Sequence, residues 1–161
     1  MKKHTLYVAY GSNMSIEQMR LRCPTATLIG TGLLRDHRLL FRTHATVEPA
    51  KGYEVPVLLW SLDAESERAL DRYEGYRADG RGYYRKEFVR VRRDDTGGYP
   101  KTMMYVMNDR LLCLPHSSYY QILHDAYQTF GFDMTILETA WLESRGVKQN
   151  VAERTHFRRT S

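Results

Sequence analysis

The chain has 161 residues, 42% of them hydrophobic and 27% charged, which is the make-up of one ordinary globular domain and excludes a fibrous or globally disordered chain. Two tryptophans, five phenylalanines and twelve tyrosines suffice for a core that needs neither disulfides nor a structural metal. The formal charge is +5, but Arg145 to Ser161 holds five basic residues against one Glu, so the excess sits in a basic tail; that placement argues against a nucleic-acid partner, which calls for a basic stripe with interleaved aromatics on the folded body. No apolar run exceeds about six residues, against roughly 20 for a bilayer crossing, and the stretch after Lys2 and Lys3 stops short of a signal-peptide core. Cys23 and Cys113 lie in no C-x-x-C pair and read as two reduced thiols, so a cytoplasmic location is expected.

In chain order, Thr5 to Tyr10 has strand character and breaks at Gly11-Ser12-Asn13, a turn cluster. Ser15-Ile16-Glu17-Gln18 has the form of a capping box, which predicts a short helix from Ser15 that stops before Pro24. Three strands are expected at Thr27 to Leu34, His37 to Arg42 and Glu54 to Leu62, separated by Arg35-Asp36 and by a polar stretch around Pro49 to Gly52. The third is the most apolar and is expected to be central. Asp63 is placed to cap a helix bearing Leu70 and Tyr73 that ends near Glu74, with Gly75 in the left-handed position after it.

Tyr83 to Arg93 and Lys101 to Met107 read as a hairpin across Asp94 to Gly98, with the Arg90 and Arg92 row as a solvated face. Tyr119, Leu123, Ala126, Tyr127 and Phe130 recur at helical spacing up to Gly131, and Asp133 caps a second helix carrying Leu137, Ala140 and Trp141 up to Gly146. Both apolar stripes are assigned to core. Strands and helices without regular βα alternation predict an α+β domain, residues 1–146, followed by a basic tail, 147–161.

Dinucleotide, P-loop, zinc-peptidase and nucleophile-elbow motifs are absent, and the six histidines share no ligand spacing, so no metal is assigned. Two segments have chemical character. In Tyr10-Gly11-Ser12-Asn13-Met14, Gly11 allows close backbone approach, Ser12 and Asn13 offer short polar groups, and the helix start beyond favours an anion. On pattern alone, a turn that only caps the helix is the commoner reading. Glu74 stands at a helix C-terminus between Tyr73 and Tyr76; the dipole and partial desolvation raise its pKa, which suits a proton shuttle. An exposed helix-end carboxylate is again the commoner outcome for such a residue. Ser12 as a nucleophile lacks elbow spacing and an orienting acid.

Taken together, the two segments resemble the γ-glutamylcyclotransferase family, with its Y-G-S-N-[LM] loop after the first strand, matched by Tyr10 to Met14, and its single catalytic Glu in an L-D-x-x-E-G-like segment, matched by Leu70 to Gly75. The apolar strand Val55 to Leu62, Gly82-Tyr83-Tyr84 and Tyr105 also look like family features, and the helical part is similar to bacterial members. The resemblance implies a small mixed β-barrel of about five to seven strands with peripheral helices and two C-terminal helices. It implies a cofactor-free reaction in which a γ-glutamyl amino acid or amine yields 5-oxoproline and the free amine. Glu74 would be the proton shuttle, and Tyr10, Gly11, Ser12, Asn13, Met14, Tyr84 and Tyr105 would bind substrate. Tyr83 competes with Tyr84, because neighbours on a strand face opposite ways; Glu87 is the next carboxylate after Glu74. The expected partner is a small γ-glutamyl molecule, with neither membrane nor nucleic acid, and a homodimer is the assembly considered. The alternative is a non-catalytic metabolite-binding or regulatory protein on the same fold.

Overall fold

The computed structural model describes residues 3–145, so the basic tail at 147–161 lies outside the described residues. Six strands form one mixed sheet: β1 (Thr5–Ala9), β2 (Thr27–Arg42), β3 (His44–Leu62), β4 (Tyr84–Arg90), β5 (Arg92–Arg93) and β6 (Lys101–Met107), in the order β4-β6-β1-β3-β2-β5. The pairing order is open, but the two edge strands β4 and β5 are separated in the chain by Val91 alone, so the sheet curls back on itself in the manner of a barrel. Helices α1 (Ile16–Arg22), α2 (Ala64–Glu74), α3 (Ser117–Phe130) and α4 (residues 134–145) surround it. Among the described residues no helix is long and apolar enough to cross a membrane.

The apolar half of β3 is central, as its composition predicts: Val55, Val57, Leu58, Leu59 and Leu62 are fully buried between β1 and β2. Each such side chain stabilises the fold by roughly 2 kcal/mol. The expected break within Thr27 to Arg42 is instead a bulge in one long strand. Asp36 takes a left-handed φ of 58°, its carboxylate accepts from the Gly52 N–H at 3.0 Å, and the register shifts between Arg35 and His37. The polar stretch from Pro49 to Gly52 is likewise strand and not loop, because β3 starts ten residues early, directly after a tight turn at Thr43. Thr43 has a φ of 71°, uncommon for a β-branched residue, and its N–H is held by the Cys113 carbonyl at 2.9 Å.

The expected hairpin also divides. Tyr84 to Arg90 pair with β6 throughout, from Tyr84 opposite Met107 to Arg90 opposite Lys101. Val91 then turns into the core, and Arg92–Arg93 cross to β2 opposite Leu33 and Gly32. Gly32 permits the crossing, since a Cβ there would lie 2.7 Å from the Arg92 carbonyl oxygen. The local helix caps are used, although the Ser15 to Gln18 box is only half made: the Ser15 N–H goes to the Ser12 carbonyl and Gln18 Oε1 accepts from Arg22. Ser15 accepts from the Gln18 N–H at 3.3 Å, Asp63 from the Ser66 N–H at 2.8 Å, and Asp133 from the Thr135 N–H at 3.0 Å.

Candidate active site

β1 has five residues, whereas β3 beside it has nineteen, so the chain leaves the sheet at Tyr10 between two neighbours that continue. Gly11 leads into a single 3-10 turn, Ser12–Met14, and Ser15 then starts α1. The loop is locked from three sides. The Tyr10 hydroxyl donates to the Tyr105 carbonyl, the Trp60 indole N–H donates to the Asn13 carbonyl at 3.1 Å, and a Cβ on Gly11 would sit 3.0 Å from the Tyr119 hydroxyl.

Glu74 is the last residue of α2. Gly75 follows at φ 64° with its N–H on the Arg72 carbonyl, and Tyr76 donates to the Asp71 carbonyl at 2.8 Å, a closed helix end that fixes where Glu74 points. The two sequence segments meet there: the Asn13 side-chain NH2 donates to Glu74 Oε1 at 3.1 Å and to the Tyr7 hydroxyl at 2.9 Å. Both border a cavity of about 700 Å³, within the range of small-molecule sites. Tyr10, Gly11, Ser12, Tyr84 and Tyr105 line the same cavity.

Burial pushes the Glu74 carboxyl up from its ordinary value of 4.5 to about 7, against the opposing pull of the Arg22 charge and the Asn13 hydrogen bond. The group is therefore near half-ionised at neutral pH, suited both to take and to give a proton. The tyrosines around it are held protonated: burial raises Tyr7, Tyr10, Tyr84, Tyr105 and Tyr119, and the Glu74 charge adds to each. They are donors, not bases. Tyr105 is braced from behind, its hydroxyl donating to Asp71 at 2.5 Å while Lys86 ties Asp71 to Glu67.

The desolvating walls differ from those expected. Tyr73 lines the cavity from α2 but is 50% exposed, Tyr76 does not line it, and the more deeply buried aromatic surroundings of Glu74 come from the sheet and α3. Met14 does not reach the cavity: it is 1% exposed, turned into the core by the 3-10 turn. Tyr84 is the inward neighbour, with its hydroxyl 3.3 Å from the Ala45 carbonyl, whereas Tyr83 is 81% exposed and meets only the cavity rim. Glu87 pairs with Arg85 at 2.9 Å, away from the cavity. Sequence reasoning missed Tyr7, Arg42, His44, Asn108 and Tyr119, which also line the cavity. Tyr7 shares one face of β1 with Ala9, a placement that strand alternation makes legible; Arg42 and His44 arrive on the tip of the β2–β3 hairpin, and Tyr119 stands on the apolar stripe of α3 with its hydroxyl at the Ala45 N–H beside the cavity. Among the described residues no cluster of His, Cys, Asp and Glu has the geometry to hold a metal.

A curled α+β sheet with one desolvated acid facing a glycine-containing loop in a tyrosine-walled cavity defines a class of small site in which proton transfer and shape do the chemistry. Residues 7–128 match the family model described as Gamma-glutamyl cyclotransferase, AIG2-like, and the chain belongs to that family. It is 33% identical over 85 residues to the γ-glutamylcyclotransferase of Mus musculus and 31% identical over 85 residues to that of Bos taurus. The chain spans about half of the length of these curated relatives, 45% in each case. A solved γ-glutamyl cyclotransferase structure superposes with a TM-score of 0.75 at 25% identity, covering 86% of both chains.

Proposed function

We propose that the protein is a γ-glutamylcyclotransferase-type enzyme that converts a γ-glutamyl amino acid or amine into 5-oxoproline and the free amine, with no cofactor. The observation that supports this most is the pairing of Glu74, raised to about 7, with Asn13 of the loop inside one cavity. Nucleophile and electrophile belong to one substrate. The glutamyl α-nitrogen attacks its own γ-carbonyl, the new ring C–N bond forms, and the original amide C–N bond breaks. Holding the folded conformer replaces on the order of 7 kcal/mol that a bimolecular reaction loses in entropy.

Glu74 takes the proton from the attacking nitrogen and returns it to the departing one. Main-chain N–H groups of Gly11 to Asn13 receive the substrate carboxylate or the developing oxyanion, each good donor contributing about 3 kcal/mol in comparable sites. Tyr84 and Tyr105 orient the substrate. In this reading the partner is a small γ-glutamyl molecule, and the free thiols of Cys23 and Cys113 support a cytoplasmic setting.

The test is release of 5-oxoproline from a panel of γ-glutamyl dipeptides, γ-glutamyl-ε-lysine and glutathione. At least one member should turn over, and Glu74→Gln should lower kcat about 100-fold or more with the fold retained. Failure to turn over any member favours a metabolite-binding protein on the same fold, and unchanged activity in Glu74→Gln removes the proton shuttle from this residue.

A further inference from the structure

Arg22 closes α1 and does not line the cavity, yet its guanidinium gathers four acceptors beside it. Nη1 donates to Asn13 Oδ1 and, at 3.4 Å, to Ser12 Oγ; Nη2 donates to Gln18 Oε1 at 2.6 Å and to the Tyr73 hydroxyl at 2.5 Å. The guanidinium carbon lies 3.6 Å from the centre of the Tyr73 ring. A planar fork of five donors can serve these partners together, which a lysine ammonium cannot.

Arginine only donates, so its bond to Asn13 selects the oxygen end of the carboxamide. The NH2 end is then the one that meets Tyr7 and Glu74. With the amide reversed, oxygen would oppose the Glu74 carboxylate and NH2 would oppose the guanidinium, two repulsive contacts in place of two attractive ones. Among the described residues the only side-chain hydrogen bond to Glu74 falls on Oε1.

We propose that Arg22 is a positioning residue: it pins the Asn13 carboxamide with its NH2 toward Glu74, which holds Oε1 and presents the other carboxyl oxygen to the substrate. The kinetic consequences rest on the cyclotransferase reading, but the geometry is testable without turnover. The groups facing Glu74 are Arg22 from α1, Asn13 from the loop, and the protonated tyrosines Tyr7, Tyr10, Tyr84, Tyr105 and Tyr119. Arg42 and His44 from the β2–β3 turn and Asp109 after β6 border the same cavity. Of these, Arg22 is the cation that bonds the residue touching the carboxyl.

The experiment follows the Glu74 carboxyl by carbon NMR against pH, in the substrate-free protein and in Arg22→Met. The titration midpoint should rise by about one pH unit in the variant, which by itself lowers the ionised fraction at pH 7 about fivefold, and kcat/KM at pH 7 should fall about fiftyfold in all. At pH 9, where the carboxyl is ionised in both proteins, kcat should remain about tenfold low with KM little changed. That residual loss should vanish when Arg22→Met is made in an Asn13→Ala background, because the two residues act as one unit. Arg22→Lys, which keeps the charge at the end of α1, should show a smaller midpoint change and the same loss at pH 9, and it serves if Arg22→Met does not fold. An unmoved midpoint, or an undiminished kcat loss in the Asn13→Ala background, overturns the proposal. If the parent protein turns over no substrate, the functional reading fails and the NMR titration still decides the role of Arg22: a midpoint rise that is just as large in the Asn13→Ala background comes from the charge alone and overturns the positioning role.

Discussion

Replacing Glu74 with Gln should make the protein more stable, and more so as the pH rises. The carboxyl titrates near 7 in the folded chain against 4.5 as its ordinary value, so below about 4.5 it is protonated whether the chain is folded or not and contributes no difference. Between those two values the unfolded chain releases the proton and the folded chain retains it, so stability falls with pH; above about 7 the loss is complete. At about 1.4 kcal/mol per pH unit between the two values, the full loss is about 3 kcal/mol. Gln keeps an oxygen for the Asn13 NH2 and carries no charge to desolvate. All other titrating groups are common to both proteins and cancel in the difference. Denaturant unfolding of parent and Glu74→Gln from pH 4 to 8 measures it directly. The curves should coincide near pH 4 and separate by about 3 kcal/mol at pH 8, roughly 6–12 °C in Tm for a chain of this size. A constant offset across the range would mean that the carboxyl is not desolvated. A parent that gains on the variant with rising pH would mean that the Arg22 charge outweighs burial.

Two other substitutions probe the supports of the site. Gly75→Ala forces a Cβ into a left-handed φ of 64° and within 2.7 Å of the Tyr83 ring; it should lower stability by about 1 kcal/mol in chemical denaturation and reduce kcat by shifting Glu74. Trp60→Phe removes the indole N–H that the Asn13 carbonyl accepts at 3.1 Å. Leaving that oxygen unpaired should lower stability by about 1–3 kcal/mol, and faster amide hydrogen exchange across residues 11–14 would localise the effect.

The parts of this molecule legible in the sequence are those decided within a few residues. Ser15, Asp63, Gly75, Gly131 and Asp133 each mark a helix end because capping needs one side chain or one permissive φ, and nothing distant competes. The same holds for the loop at Gly11 to Asn13 and for Glu74, whose likeness to a known family supplied the link between them before any geometry did. What was not legible is decided by pairing partners. Pro49 to Gly52 is polar and turn-like in isolation, yet it becomes strand because the opposite arm of β2 supplies a ladder for it. Arg92 leaves β4 for β2 because Gly32, sixty residues earlier, has no side chain to block it. Tyr119 follows the periodicity of a core helix, but its hydroxyl accepts from the Ala45 N–H at 3.0 Å, where the β2–β3 tip meets the cavity.

The contacts that make the site join parts of the chain that are far apart: 61 residues separate Asn13 from Glu74, 95 separate Tyr10 from Tyr105, and 74 separate Ala45 from Tyr119. Closing loops of that length comes late in folding, after helices have begun to flicker in and out locally. A nascent or half-collapsed chain therefore presents Glu74 as an ordinary hydrated acid. Its readiness to hold a proton at neutral pH is a property of the finished topology alone.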